Sequence, residues 1–190
     1  FFPKPNLEIS NVQINFEDTP VTLNSKNLKI YLKFPSIYNY ENFDSNKIVF
    51  NNSEIKLEIS NFKFTVKKLF NHKEKILFKN LKLQVLNKDK PIVAFKEIKY
   101  ANYGFNKNFI KGKVFNKKFE VDAGKDLKNI DFKLVNTGIS AELNFDEIQK
   151  KNLIEGVLKS KILNTYLKFN FDYDGKIVNV YNSYFRSKNL

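Results

Sequence analysis

The chain has 190 residues, 42% of them hydrophobic, which suits one ordinary domain with a core and excludes wholesale disorder. Its formal net charge is +13, yet Arg186 is the one arginine among 33 basic residues. The planar forks that read bases and clamp phosphates are therefore missing, and nucleic acid is not an expected partner. Cysteine is absent, which excludes disulfides, thiolate metal ligands and a cysteine nucleophile.

The remaining composition narrows the reading further. Abundant Lys, Asn, Ile and Phe together match an AT-rich coding bias, and lysines on a solvated strand face also suit an anionic membrane surface. The apolar set is weighted toward Phe, Ile, Leu, Val and Tyr, residues that fit a pleated, half-buried surface. No apolar run approaches the roughly 20 residues that span a bilayer, and no signal-peptide pattern is present. A chain that opens Phe1-Phe2-Pro3 without methionine reads as processed or cut from something longer, with any anchor lying outside it.

Taken in order, the elements read almost throughout as strands. Leu7 to Phe16 forms the first, closed by a turn at Asp18-Thr19-Pro20. Val21 to Phe34 offers a strand pair broken near Asn24-Ser25-Lys26, and Pro35 stops it because proline has no ladder donor. Tyr38 to Asp44 is the least patterned stretch, a short helix or a loop. Lys47 to Phe50 and Glu54 to Val66 resume the strands, with a slip at Ser60-Asn61 that suggests a β-bulge. Leu69 to Lys75 is a polar connection. Strands follow at Ile76–Phe78, Leu81–Leu86, Ile92–Phe95, Ile98–Tyr103, Phe109–Phe115, Lys118–Asp122, Ile130–Val135 and Ile139–Phe145. Asp146 to Lys151 is a single helical turn, and Leu153–Lys159, Thr165–Tyr173 and Val178–Phe185 complete the series. Turn chemistry at Asn87–Lys90, Asn116-Lys117, Asn136–Gly138 and Asp172–Gly175 joins neighbours as hairpins. This predicts an all-β chain, a long antiparallel meander over residues 1–190 that forms a twisted, curved sheet or groove with an apolar inner face.

No constellation carries catalysis or a metal. His72 is the sole histidine and sits between Asn71 and Lys73 in a polar connection, without the partners that general-base or ligand roles need. Asp172 and Asp174 suit a hairpin turn and fall short of a calcium loop. The six glycines are too scattered to cradle a phosphate; Gly112 and Gly156, each in an Ile-x-Gly strand, read as a bulge or kink, or else a close approach of another backbone or ligand. No enzyme and no cofactor are expected.

The period of two has a further consequence. It sets Leu28, Ile30, Leu32 and Phe34 on one strand face, and Leu167, Phe169, Phe171 and Tyr173 on another with no charge among them. Such a face serves a packed core or a lipid-lined surface equally well.

The stretches Phe78 to Phe105, Phe109 to Asp122 ("FIKGKVFNKKFEVD") and Leu153 to Leu190 resemble the AsmA family of bacterial envelope proteins, and Ile9 to Leu32 resembles its opening layers more loosely. That resemblance implies a β-groove that conducts phospholipid between the inner and outer membranes. It also implies a periplasmic location, with an inner-membrane anchor outside this segment. On this reading Leu28, Ile30, Leu32, Ile55, Leu57, Leu81, Leu83, Leu143, Phe145, Leu167, Phe169 and Phe171 line a trough for acyl chains. The alternative is a structural sandwich or repeat module, a scaffold or protein-binding surface without ligand, whose apolar face packs only on itself.

Overall fold

The computed structural model describes residues 5–16, 21–33, 44–61, 65, 72–124, 128–146, 154–174 and 177–187. They form β1 (Asn6–Asn15), β2 (Thr22–Leu32), β3 (Ser45–Glu58), β4 (Ile76–Asn87), β5 (Lys90–Ala101), β6 (Phe109–Val114), β7 (Lys117–Ala123), β8 (Asn129–Leu134), β9 (Ile139–Phe145), β10 (Ile154–Ile162), β11 (Thr165–Tyr173) and β12 (Val178–Ser187), with a 3-10 turn over Ile59–Asn61. The protein is all-β. Its strands follow one another across an open sheet in sequence order. Two compact units divide the chain, residues 1–116 with β1–β6 and residues 117–190 with β7–β12. The expected helical turn at Asp146–Lys151 and the irregular stretch after Tyr38 lie largely outside the described residues.

In the first unit the meander is interrupted once. β1–β2, β2–β3, β4–β5 and β5–β6 are antiparallel, whereas β3 and β4 run parallel, Ile48 opposite Ile76 and Glu58 opposite Leu86. A parallel pair needs a crossover of a dozen or more residues, which the connection 59–75 supplies. That connection has to return along ten residues of ladder, about 33 Å. The bulge expected at Ser60-Asn61 is instead the 3-10 turn that opens the crossover, and this turn packs against β4.

Four breaks expected between strands turn out to lie inside β2, β3, β4 and β5. At one level of the sheet Asn11 (φ 54°), Asn52 (φ 50°) and Glu97 (φ 53°) adopt left-handed backbone. The ladder is interrupted there between Ser25 and Asn27, between Phe50 and Ser53, and between Phe78 and Leu81. Buried residues such as Val21, Leu23 and Ser25, or Ser53, Ile55 and Leu57, stand two apart, but across this level the spacing is three, Ser25 to Leu28, Phe50 to Ser53 and Phe78 to Leu81. A residue in the left-handed region shifts the pleat by one, so the side-chain phase inverts while the strand continues. Polar side chains serve the interrupted ladder: Asn80 Nδ2 donates to Asn52 Oδ1 at 2.8 Å, and the buried Ser53 hydroxyl donates to Ser25 Oγ at 2.9 Å.

On either side of this level the apolar partners match strand by strand. Leu28, Phe50, Phe78 and Tyr100 form one row, with the Phe50 and Phe78 rings stacked at 4.8 Å. Leu23, Ile55, Leu83 and Phe95 form another. Phe78, Leu23, Ile55, Leu57 and Val21 are the most completely buried. The opposite side carries ion pairs such as Lys29–Glu8 and Lys82–Glu54 (2.8 Å). The Glu8 carboxylate, as hydrogen-bond partner, raises the Lys29 ammonium above its ordinary pKa.

The second unit is antiparallel throughout, from β7–β8 to β11–β12. The turns behave as their residues require. Lys88 and Asp89 are both left-handed in the two-residue β4–β5 turn, as are Phe115 and Asn116 after β6. The Glu58 carboxylate accepts the Lys88 and Asp89 amides at 3.1 and 3.0 Å, tying the end of β3 to that turn.

Candidate functional site

The feature with the clearest chemical character is the apolar side of β7–β12. Antiparallel partners share a face, and the register assembles that face row by row. Ala123, Ile130, Leu143, Leu158 and Phe169 form one row, with Phe169 opposite Leu158. Val121, Phe132, Ala141, Ser160, Leu167 and Phe185 form the next. Phe145, Gly156, Phe171 and Val180 form a third. No Lys, Arg, Asp or Glu falls in these rows. The charges sit on the alternate positions, where Lys159 pairs with Glu142 at 3.1 Å. The Asn144 amide, and then Lys159, hold the Glu142 carboxyl below the usual carboxylate range.

These rows are covered far less than those of the first unit. Phe119, Ala123 and Phe171 are the buried hydrophobic residues described in β7–β12, while Phe132, Leu143, Phe145, Leu167 and Phe169 are half-buried. Val178, Val180 and Phe185 on β12 are more than half exposed. The sequence-predicted trough residues thus fall into two groups. Leu28, Ile55, Leu57, Leu81 and Phe171 are at most 9% exposed, and Ile30, Leu32, Leu83, Leu143, Phe145, Leu167 and Phe169 are half-buried. The second unit brings Leu143, Phe145, Leu167, Phe169 and Phe171 together on one face. Sequence reasoning passed over Ile130, Phe132 and Leu158 of the same rows, which the alternation of β8 and β10 would have marked.

Gly156 decides how the third row packs. In place of the bulge or kink that its Ile-x-Gly pattern predicts, the ladder runs through Gly156 without a shift, opposite Phe145 on one side and Phe171 on the other. A Cβ there would lie inside the contact distance of the Asn144 carbonyl oxygen and 3.0 Å from Phe171 Cζ. Glycine is needed because the Asn144 carbonyl oxygen closes on it from β9, and the Phe171 ring also lies over it, edge-on to Phe145 with centroids 6.2 Å apart. In the first unit the irregularity belongs to β5, whose ladder shifts between Lys96 and Lys99, and the facing Gly112 of β6 does not bulge.

The other sequence candidates have plain structural roles. His72 lies on an open hollow of about 410 Å³ with Lys73, Lys75, Asn102, Tyr103 and Lys107, and its Nδ1 accepts the Glu74 amide at 3.2 Å. Asn102, which the sequence did not single out, organises this end. Its Oδ1 accepts the Ile76 amide at 2.7 Å, and its Nδ2 donates to the Glu74 and His72 carbonyls at 2.8 and 3.1 Å. Asp174 Oδ1 accepts the Ile177 amide at 2.8 Å, as a turn residue does. Among the described residues no group of three or more His, Asp or Glu is placed to hold a metal, and no helix is long and apolar enough to cross a membrane.

No protein-family model matches the chain, and no curated protein or solved structure is significantly similar to it. The class that the coordinates themselves define is an open, all-β meander whose second unit carries an uncharged, half-covered apolar face.

Proposed function

We propose that this chain is a non-enzymatic lipid-handling protein of the bacterial envelope, in which the apolar face of β7–β12 holds phospholipid acyl chains. The observation that carries this reading is that face: three register-matched rows without a charge, left half-exposed where a closed domain would bury them. Each CH₂ removed from water there contributes roughly 0.8 kcal/mol. One chain can therefore be held firmly and still slide, because successive rows offer equivalent contacts. Lysines on the alternate positions keep the other side wet. The likeness to AsmA proteins adds the proposed setting, a periplasmic segment anchored to the inner membrane by chain outside this sequence.

The tight burial of Val21, Leu23, Ile55, Leu57 and Phe78 favours a purely structural role for the first unit. In that reading residues 1–116 are scaffold, and lipid contact is confined to residues 117–190.

The test is native mass spectrometry with lipid extraction on the protein purified in mild detergent and then exchanged out of it. Wild type is expected to retain phospholipid at a defined ratio. Phe169→Glu, which sets a carboxylate in the middle of a row, is expected to lose that lipid with strand content unchanged by circular dichroism. Equal lipid on both proteins, or none on wild type, refutes the proposal.

A further inference from the structure

The interior of the first unit is tightly packed, but the end that carries the β5–β6 loop does not look like the outside of a scaffold. That end brings together the start of β3, the start of β4 and loop residues 102–108, because β4 runs parallel to β3 and β5 returns antiparallel to β4. Phe105 stands at the tip of the loop with its side chain wholly in solvent, 104% exposed. Turn corners are ordinarily Gly, Pro, Asn, Asp or Ser. A phenylalanine in this place adds nothing to the packing of the fold.

The backbone holds that ring out. The Lys107 amide donates to the Gly104 carbonyl at 3.2 Å, which makes Phe105 and Asn106 the two corners of a turn. Beneath it the Asn108 amide donates to the Ala101 carbonyl at 3.2 Å, and the Asn102 amide to the Ile76 carbonyl at 3.3 Å. Asn102 and Asn108 are both buried, so the tip rises from a fixed base.

The surface beside the tip is basic. Lys73, Lys75 and Lys107 are exposed around the open hollow of about 410 Å³, and Tyr103 lines it with Lys47 Nζ 5.3 Å from its ring centre. Among the described residues none of these four lysines pairs with a carboxylate. One carboxylate, Glu74, lines the hollow and accepts the Ser45 hydroxyl at 2.8 Å. Asp44, just before β3, is matched by Lys33 at 3.2 Å. Four cations against one uncompensated anion leave this end positive.

Magnitudes select the partner. A buried phenylalanine supplies about 150–250 Å², far below the roughly 800 Å² per partner of a stable protein interface. One ring on a polar end is therefore too little for a protein-docking face. A bilayer asks for less, since one ring can pass the head groups while each nearby lysine adds attraction to anionic lipid. Lysine acts as a point charge and suits phosphates that move in a fluid surface, whereas nucleic acid favours arginine forks.

We propose that the β5–β6 loop docks the first unit on an anionic phospholipid bilayer, Phe105 entering the interface and the lysine-lined hollow taking head-group phosphates. This gives the first unit a role beyond scaffold, and it is independent of acyl-chain holding by β7–β12.

The chain has no tryptophan, so Phe105→Trp reports from the tip alone. With vesicles of phosphatidylglycerol and phosphatidylcholine in equal parts, its emission is expected to shift to the blue and to be quenched by brominated acyl chains. Vesicles of phosphatidylcholine alone should bind at least about tenfold more weakly. In vesicle sedimentation Phe105→Ser is expected to weaken binding about tenfold, and the triple variant Lys73→Gln/Lys75→Gln/Lys107→Gln about a hundredfold. All four positions are exposed, and circular dichroism should show the strand content of wild type. Emission that stays unshifted while the protein sediments with vesicles would place the contact elsewhere and overturn the proposal. Absence of wild-type binding to the anionic vesicles, or a triple variant that binds as wild type does, would also overturn it. Equal quenching of the same tryptophan by single-stranded DNA would replace the bilayer with nucleic acid.

Discussion

Replacing Gly156 by alanine puts the packing of the second unit under direct test. Two opposed effects decide the result. Alanine narrows the unfolded ensemble and stabilises by about 0.4–1 kcal/mol where its backbone fits. Here the added methyl meets the Asn144 carbonyl oxygen and two atoms of the Phe171 ring, at 3.0 and 3.2 Å. The ring can turn aside, but the carbonyl belongs to β9, whose ladder with β10 is unbroken from Ile139 to Phe145. Clearing it means moving backbone, and overpacking of that kind costs about 1–3 kcal/mol. The clash therefore outweighs the entropic gain, and a net loss of about 1–2 kcal/mol is expected. With an m-value of about 1–2 kcal/mol per molar urea, the midpoint should fall by about 1 M. The double variant Gly156→Ala/Phe171→Leu should recover only part of a second loss, because the ring clash is relieved and the carbonyl clash is not. A midpoint at or above that of wild type would refute the close-approach argument and return Gly156 to the role of a flexible kink.

Two further outcomes are expected. Asn102→Ala strands the Ile76 amide and two carbonyls near the start of β4, and should cost about 2–3 kcal/mol in chemical denaturation; Asn102→Asp keeps an acceptor for Ile76 but sets a carboxylate oxygen against the Glu74 and His72 carbonyls, and should cost no less. Burial pushes the Tyr100 phenol well above its ordinary value, so the folded state resists its ionisation. With the folded pKa above the unfolded one, this contribution is complete below pH 10 and is lost as pH rises beyond it. Denaturant midpoints measured from pH 9 to 12 should fall less steeply for Tyr100→Phe than for wild type, and equal slopes would remove Tyr100 from the account.

How much of this was legible in the chain depends on which physical property each feature rests on. The existence of the strands and the chemistry of their faces rest on the period of two, a local property. Leu167, Phe169 and Phe171 therefore share an uncharged side in the sequence as they do in the fold, and the hairpin turns after β4 and β8 stand where Asn, Asp and Gly place them. Strand continuity across Asn52 and Glu97 was not legible. A left-handed residue inside a strand breaks the alternation just as a turn does, and only the partner strands show that the ladder resumes. The same limit hid the parallel pairing of β3 with β4, because an alternating strand has the same pattern in either direction.

What the sequence by itself determined is the all-β class, the polar and apolar sides of most strands, and the absence of cysteine chemistry, since each follows from residue identity and spacing alone. Tertiary structure alone decided the rest. It determined that Gly156 receives an aromatic ring, which depends on Phe171 standing opposite. It also determined that Ile55 and Leu57 are buried while Leu167 and Phe169 remain half-open. Identical alternation writes both pairs, and burial depends on what the rest of the chain lays against each face.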